Sequence, residues 1–474
     1  MRRWLLSCLI LFVAPLTARA QSLTVGVDPR VELMAIVFRL AGATEFVNND
    51  LVGYAAAVDA HFAPFAGHEV VQVARELRRT HGIGFDKVMG MAAHLTLGEH
   101  VTLRGALEGP TRTLDARWPT AGAQRFVAAL DRFVTEARFR EFLAAQRGYH
   151  DSASARLSAL VARRVAPDWF DRFFGVRGSE RFILVPGLLN GGGSFGPRVS
   201  PGDGPDELWA ILGTWASDSS GIPLFPDGHA FTIAHEFAHS YVNPMVAKHL
   251  ALFEPFAAGC PQLEAAMRAQ SYVCWKTIVD ESIVRATSLA WARAHGTPHE
   301  ARMRQGEEEG RAFVWTGELA DSLEAWHRAR GPEVSWERDI PRLAAWFAGL
   351  GPRIPALQAA FNARRPNVVR TSIANGATGV ATGEVVLEVT FDRPMVRGWS
   401  ITRLEGVAAD EAPPAMRAPS ISPDSLTFRV TMTLEAGKAY AFALNGPLGG
   451  GFRSSDGVPL AATPIRFQTG SSAD

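Results

Sequence analysis

The 474-residue chain lacks several features that would place it at once in a known class of protein. It has only three cysteines, and no two of them form the CxxC pair that structural zinc knuckles require. Lys plus Arg and Asp plus Glu both number 48, so neither sign of charge dominates. No basic run is interleaved with aromatic residues, which argues against nucleic acid as a partner.

Long apolar runs are missing after the N-terminus. Arg2 and Arg3 precede the apolar run LLSCLILFVAPL, and the small-residue pattern A-R-A follows at 18–20. These are the three parts of a secretory signal peptide, and the run is too short and wrongly flanked for a membrane anchor. Residues 1–20 are therefore predicted to be removed on export to the periplasm or beyond, which leaves a mature chain without a membrane span.

Removal of the signal peptide leaves two cysteines, Cys260 and Cys274. In an oxidising compartment an isolated pair this close in sequence predicts a disulfide. A bridge of this loop size stabilises a fold by about 3 kcal/mol in the chain-entropy model. The alternative is a pair of buried thiols.

Hydrophobic periodicity divides the mature chain into three regions. Residues 21–175 repeat apolar side chains at helical spacing, which predicts an N-terminal helical region. Residues 176–363 begin with strand candidates at Phe182–Pro186 and in DELWAILGTW and continue as helices. Residues 364–474 contain alternating, β-branched runs such as EVVLEVTF and SLTFRVTM, which predict an antiparallel β-sandwich. The expected fold class is α+β, with several domains.

The stretch HAFTIAHEFAHSYVNP at 229–244 carries the clearest chemical pattern. Helix residues four apart share a face, so His235 and His239 can direct their imidazoles at one metal ion. Glu236 is then placed to act as a general base on a water molecule. Pro244 is expected to end the helix, because it disfavours helical backbone in the residue before it. The alternative is two core histidines with a solvent-facing glutamate.

A catalytic zinc ion needs a third protein ligand. A histidine six residues after the second one would supply it in the metzincin pattern, but this chain has Val242 and Met245 where that pattern has Gly and His. The other common solution is a glutamate on a following helix, and VDESIVRA offers Glu281. The alternative role for Glu281 is an ion pair with Arg285, four residues further along the helix.

HEFAH together with the downstream DESIVRA resembles the gluzincin-type zinc metallopeptidases over about residues 180–295. The stretch HEFAHSYVNP is also similar to the corresponding sequence of an uncharacterised bacterial family of exported gluzincin-like proteins. One departure is Arg285, where gluzincins often have Asp. The resemblance implies a mostly helical zincin-like domain with a small sheet, and peptide hydrolysis with Glu236 as general base. It implies one zinc ion per chain, held by His235, His239 and Glu281.

Three further polar features complete the prediction. Peptide hydrolysis requires an oxyanion donor, for which Tyr241, Tyr272 and the histidines are candidates. His295 and His299 are four apart, but a glycine and a proline between them indicate a solvated loop and not a second metal site. The acidic run GEEEGR at 306–311 indicates a solvated helix face.

The C-terminal region resembles the bacterial Ig-like modules that are appended to exported proteins. The similarity runs from VVRTSIANGATGV to the closing FQTG and covers most of residues 367–470. It implies a spacer or adhesion element that could contact the cell envelope. The leading hypothesis is thus an exported zinc-dependent peptidase acting on peptide or protein substrates. The second is a non-catalytic cell-envelope binding protein that retains the peptidase scaffold, although an intact Glu236 favours the enzyme.

Overall fold

The structure is a computed structural model, and it describes most of the chain after the first 22 residues. The described residues are 23–176, 180–202, 204–268, 270, 272, 275–404, 406–407, 411–446 and 450–471. The predicted signal peptide at 1–20 lies outside these residues, and so does Cys274 of the predicted Cys260–Cys274 disulfide. The signal peptide and the disulfide therefore stay predictions. The described part of the chain has an α+β fold, as the sequence predicts.

Helices predominate in the first three quarters of the chain, and strands make up the last quarter. The helices are α1 (Pro29–Leu40), α2 (Val52–Phe62), α3 (Glu69–His81), α4 (Asp86–Ala93), α5 (Thr120–Glu136), α6 (Phe139–Ala145), α7 (Arg147–Arg164), α8 (Pro167–Phe174), α9 (Gly228–Lys248), α10 (Glu264–Arg268), α11 (Trp275–His295), α12 (Pro298–Gly310), α13 (Thr316–Arg330), α14 (Ile340–Ala348) and α15 (Ile354–Arg364). The strands are β1 (Leu23–Val25), β2 (Leu95–Leu97), β3 (Val101–Leu103), β4 (Arg181–Gly187), β5 (Arg198–Val199), β6 (Glu207–Gly213), β7 (Val368–Thr371), β8 (Ala377–Val380), β9 (Gly383–Phe391), β10 (Ile401–Arg403), β11 (Ala415–Ile421), β12 (Thr427–Leu434), β13 (Ala439–Leu444) and β14 (Thr463–Thr469).

The chain forms two compact units. The N-terminal unit takes its residues from 1–159 and 177–225, and the C-terminal unit takes its residues from 160–176 and 226–474, each as far as described. The units change between residues 176 and 177, next to the predicted limit of 175/176, but each unit is made of two separate stretches of the chain. Strands β4 to β6 belong with the N-terminal helices, whereas the HEFAH helix and the C-terminal strands share the second unit.

The N-terminal unit contains a four-stranded mixed sheet in the order β1-β4-β6-β5. Strands β1, β4 and β6 run parallel, and β5 is antiparallel to β6. The two strands predicted at Phe182–Pro186 and in DELWAILGTW are confirmed as β4 and β6, and both are buried over most of their length. Large side chains such as Phe38, Trp118 and Trp209 fill the core of this unit.

The C-terminal unit is organised around α9 and α11, which pack against each other, while α13 packs on α11. The predicted end of α9 at Pro244 is wrong, because the helix continues to Lys248 with the proline inside it. A proline removes one backbone hydrogen bond of the helix. Val246, beyond the proline, is fully buried, and its packing offsets that loss.

The C-terminal strands form two four-stranded sheets, in the orders β10-β13-β14-β8 and β11-β12-β9-β7. Their buried side chains make one shared core, as in a β-sandwich. The sandwich is not purely antiparallel as predicted, since β8 pairs with β14 in parallel. The chain crosses from one sheet to the other between β7 and β8, and this crossing places β8 beside the last strand.

Among the described residues, no helix combines the length and the apolar character that crossing a bilayer would require.

Candidate metal centre

Two helices of the C-terminal unit bring the three predicted ligands together. His235 and His239 lie one turn apart on α9, and Glu281 lies on α11, which packs against it. One potential ligand atom from each residue falls within a group whose members are all within 4.8 Å of one another. We call these three residues the ligand cluster. Within the described part of the chain, no other group of histidine, cysteine and acidic residues meets this condition.

The distances within the ligand cluster suit a tetrahedral ion. The two Nε2 atoms of His235 and His239 are 3.2 Å apart. Glu281 Oε1 is 3.5 Å from His239 Nε2, and Glu281 Oε2 is 3.7 Å from His235 Nε2. Ligands about 2.0–2.1 Å from a tetrahedral zinc ion are about 3.3–3.4 Å from each other. A hydrogen bond between two neutral imidazoles would give a similar separation, so the carboxylate distinguishes this cluster from a simple histidine pair.

The surroundings favour the protonation states that metal ligation needs, a neutral imidazole and an ionised carboxylate. Burial holds the pKa of His235 well below its usual value. The negative charge of Glu281 raises this pKa, and the positive charges of His239 and Arg285 lower it. Burial alone would raise the pKa of the Glu281 carboxyl group. The charges of His239 and His235, when these are protonated, and that of Arg285 outweigh this effect and hold its pKa below the usual value. The Arg285 charge remains when both imidazoles are neutral.

The residues around the ligand cluster orient its histidines and supply a second carboxylate. Asn243 Oδ1 lies 3.1 Å from His239 Nδ1 and can accept a hydrogen bond from its N–H group, which leaves Nε2 to face the cluster. Glu236 is half-buried, and burial raises the pKa of its carboxyl group. A raised pKa brings a carboxylate closer to the range in which it works as a general base near neutral pH.

Arg285 is a buried cation beside the ligand cluster, with 2% of its surface exposed. Its Nη2 atom lies 3.1 Å from Glu281 Oε2, so the ion pair weighed as an alternative to ligation is present in the same arrangement that forms the cluster. Its Nη1 atom donates a hydrogen bond to Glu308 on α12. The guanidinium carbon also lies 4.5 Å from the centre of the Phe313 ring. Arg285 thus bridges Glu281 and Glu308.

The predicted solvated face at GEEEGR is wrong. Glu308 and Glu309 are each only 5% exposed. Glu308 meets Arg285, and Glu309 accepts a hydrogen bond from Arg364 at 2.7 Å. A buried carboxylate is stable only when it is paired, and the arginines that pair these two come from other helices. Two of the three glutamates in the acidic run therefore lie in the interior of the unit.

The structure also shows where the predicted loop at His295–His299 and the two candidate oxyanion donors lie. The loop predicted around His295 and His299 is wrong in part, since α11 ends at His295 and His299 lies in the first turn of α12. Thr297 begins that helix as its N-cap, in a capping box.

Of the two tyrosines considered as oxyanion donors, Tyr241 donates a hydrogen bond to Asp171 at 2.8 Å. The Tyr272 hydroxyl accepts a hydrogen bond of 2.9 Å from Arg285 Nη2, which connects it to the ligand cluster.

Comparison with known proteins identifies the family to which the chain belongs, but it finds no curated protein or solved structure from which an activity could be inferred. A family model described as a domain of unknown function, DUF4932, matches residues 23–345. The match covers more than half of the chain, and the chain therefore belongs to this family. The matched range includes the ligand cluster and α12, and it ends before the sandwich begins at Val368. No curated protein and no solved structure matches the chain.

Proposed function

We propose that this protein is a zinc-dependent peptidase. The observation that supports it most directly is the ligand cluster, in which two histidines of one helix and a glutamate of another approach within 4.8 Å at separations that suit tetrahedral coordination. His235, His239 and Glu281 would hold one zinc ion per chain. Three protein ligands leave a fourth position for water or substrate, as catalytic zinc sites require.

Bound zinc lowers the pKa of water and polarises a carbonyl group. In the proposed mechanism Glu236 accepts a proton from the attacking water and passes it to the leaving amine. Asn243 orients His239 through its Nδ1 atom. Tyr272 is the better placed of the two tyrosines to stabilise the oxyanion, because its hydroxyl accepts from Arg285 and keeps its own proton free to donate.

The features of the N- and C-terminal regions extend this proposal. The charged and apolar pattern of residues 1–20 supports export to the periplasm or the outside of the cell. The helical part of the C-terminal unit would be zincin-like, and the sandwich would be an Ig-like module. Peptides or proteins are the expected substrates, and the sandwich could contact the cell envelope.

The experiment that tests this function compares Glu236→Gln with the native protein, both loaded with zinc, on a library of internally quenched peptides. The variant keeps a side chain of the same shape but cannot accept a proton, so we expect zinc to be retained and hydrolysis to fall about 10²–10⁴-fold. Glu254→Gln, at an exposed position in the same unit, is the matched control and should cleave normally.

Two results would count against the proposal. Unchanged cleavage by Glu236→Gln would exclude Glu236 as general base. A native protein that binds zinc but cleaves no peptide of the library would instead support the second hypothesis, a non-catalytic cell-envelope binding protein built on this scaffold.

A further inference from the structure

A charged cavity of about 250 Å³ lies between α12 and the sandwich, within the C-terminal unit. One wall comes from α12 and the residue after it, and the other comes from the loop between β13 and β14. Its charged lining residues are Arg304, Glu307, Arg311 and Arg453. Arg311 is exposed, and the side chain of Arg453 keeps 28% of its surface exposed, so the cavity can be reached from solvent.

The cavity carries more positive than negative charge. Glu307 is shared between Arg304, at 2.8 Å, and Arg453. Arg311 has no carboxylate partner among the described residues. Burial lowers the pKa of Arg453, and the charge of Arg304 lowers it further. Three guanidinium groups around one carboxylate leave room and charge for a second anionic group.

The sandwich holds its wall of the cavity firmly against α12. A Cβ atom added to Gly306 would lie 2.5 Å from the backbone of Gly457, and one added to Gly310 would lie 2.5 Å from Pro459. At Gly306 the two backbones therefore touch directly, and at Gly310 the ring of Pro459 packs on the helix backbone. Such close packing fixes where Arg453 enters the cavity, so the sandwich contributes to this site as a structural part and not as a loosely tethered spacer.

One helix and two ion pairs connect the cavity to the ligand cluster. Glu307 precedes Glu308, which holds Arg285, and Arg285 in turn contacts Glu281. The carbonyl of Arg311 accepts a hydrogen bond of 2.9 Å from the side chain of Gln270, which lies two residues before Tyr272 in the sequence.

We propose that this arginine-lined cavity binds a carboxylate of the peptide substrate and so makes the enzyme selective for peptides with an acidic group near the scissile bond. This inference rests on the proposed peptidase function. Arginine is the residue best suited to it, because its planar guanidinium can donate two parallel hydrogen bonds to a carboxylate. The carboxylate could be the C-terminal group of the substrate or an Asp or Glu side chain.

Three peptides of otherwise identical sequence distinguish these sources: one with a free C-terminus, one amidated, and one amidated with Glu as its last residue. With the native holoprotein we expect kcat/KM to be roughly tenfold to a hundredfold higher for a peptide with a carboxylate than for the plain amide. Preference for the first peptide alone indicates the C-terminal group, and preference for both acidic peptides indicates a carboxylate in either position.

The variants test the cavity itself. Arg453→Ala should lower kcat/KM for the acidic peptides to about the value for the plain amide, because the charge-assisted hydrogen bond to their carboxylate is lost. Glu307→Gln should increase the preference, because it removes the competing carboxylate, and a merely misfolded variant would not do so. Arg417→Ala, at an exposed ion pair elsewhere on the sandwich, is the matched control and should behave as native.

Binding of the same peptides to the zinc-loaded Glu236→Gln protein, measured by calorimetry, separates this inference from the proposed function. Tighter binding of the acidic peptides, lost in the double variant with Arg453→Ala, supports the cavity even if no hydrolysis is found. Equal binding and equal cleavage of all three peptides by the native protein would overturn the inference while leaving the peptidase in place.

Discussion

Glu281 in the C-terminal unit and Glu32 in the N-terminal unit are both buried glutamates on helices, yet their surroundings shift the pKa values of the two carboxyl groups in opposite directions. Glu281 has two imidazoles and the Arg285 guanidinium around it, and its pKa lies below the usual value despite burial. Glu32 is fully buried, accepts a hydrogen bond of 2.6 Å from Tyr54, and has its pKa raised by burial to about 7. Burial alone therefore does not mark a functional carboxylate.

The neighbours of Glu32 explain why it is not a ligand candidate. His150 Nε2 lies 3.2 Å from the Tyr54 hydroxyl, and burial lowers the pKa of this histidine to about 4. A neutral histidine provides no positive charge to hold Glu32 ionised, whereas Glu281 keeps the permanent charge of Arg285 beside it even when its two imidazoles are neutral. Between about pH 4 and 7 the group of Glu32, Tyr54 and His150 is a largely neutral hydrogen-bonded network in the core. The ligand cluster, in contrast, favours the ionised glutamate that a metal requires.

The largest expected difference between the two glutamates is in zinc affinity. Glu281→Ala removes one of three protein ligands, and we expect zinc affinity to fall at least about a hundredfold. Glu32→Gln removes a glutamate that has no part in the cluster and should leave affinity within about twofold. Competition with a chromophoric zinc chelator measures both. Native affinity in Glu281→Ala would show that Asp280, which pairs with Lys276 at 2.5 Å, or another residue is the ligand.

A smaller effect is expected from Glu32, whose raised pKa makes the stability of the folded protein depend on pH. The folded-state pKa of Glu32, about 7, exceeds the value near 4.5 that it has when exposed, so the folded state keeps its proton where the unfolded state loses it. The stability from this group is complete below about pH 4.5 and is lost as pH rises through 7, by up to about 3 kcal/mol. His150, with its lowered pKa, changes stability in the opposite direction between about pH 4 and 6.5.

Urea unfolding of the native protein and of Glu32→Gln between pH 4.5 and 7.5 measures this effect. Because both proteins retain His150, its contribution cancels in the difference between them. Relative to the variant, the native protein should lose stability as pH rises. Parallel curves over this range would show that Glu32 has an ordinary pKa and is not protonated in the folded state near neutral pH.

The parts of the site that could be predicted are those encoded by local spacing. His235 and His239 share a helix face because they are four residues apart, and Glu281 is predictable because the gluzincin pattern that the sequence resembles has a glutamate on a later helix. Asn243 could have been found in the same way, four residues after His239. The buried role of Glu308 could not, because its partner Arg285 comes from a different helix and only the packed structure brings them together.

The same distinction explains what was predicted of the fold. Strands β4 and β6 are confirmed, and their short apolar runs ending in glycine are local features that favour a buried strand over a helix. The passage of α9 through Pro244 depends on tertiary packing beyond the proline, which local backbone preference does not include. The parallel pairing of β8 with β14 joins residues almost a hundred positions apart, and no local pattern determines it.

Metal content of the purified mature protein tests the central claim most directly. After zinc reconstitution and removal of excess metal, elemental analysis should find one zinc ion per native chain. It should find almost none in the double variant His235→Ala/His239→Ala if that variant retains the native circular dichroism spectrum. A native chain that binds no zinc under these conditions would contradict the account.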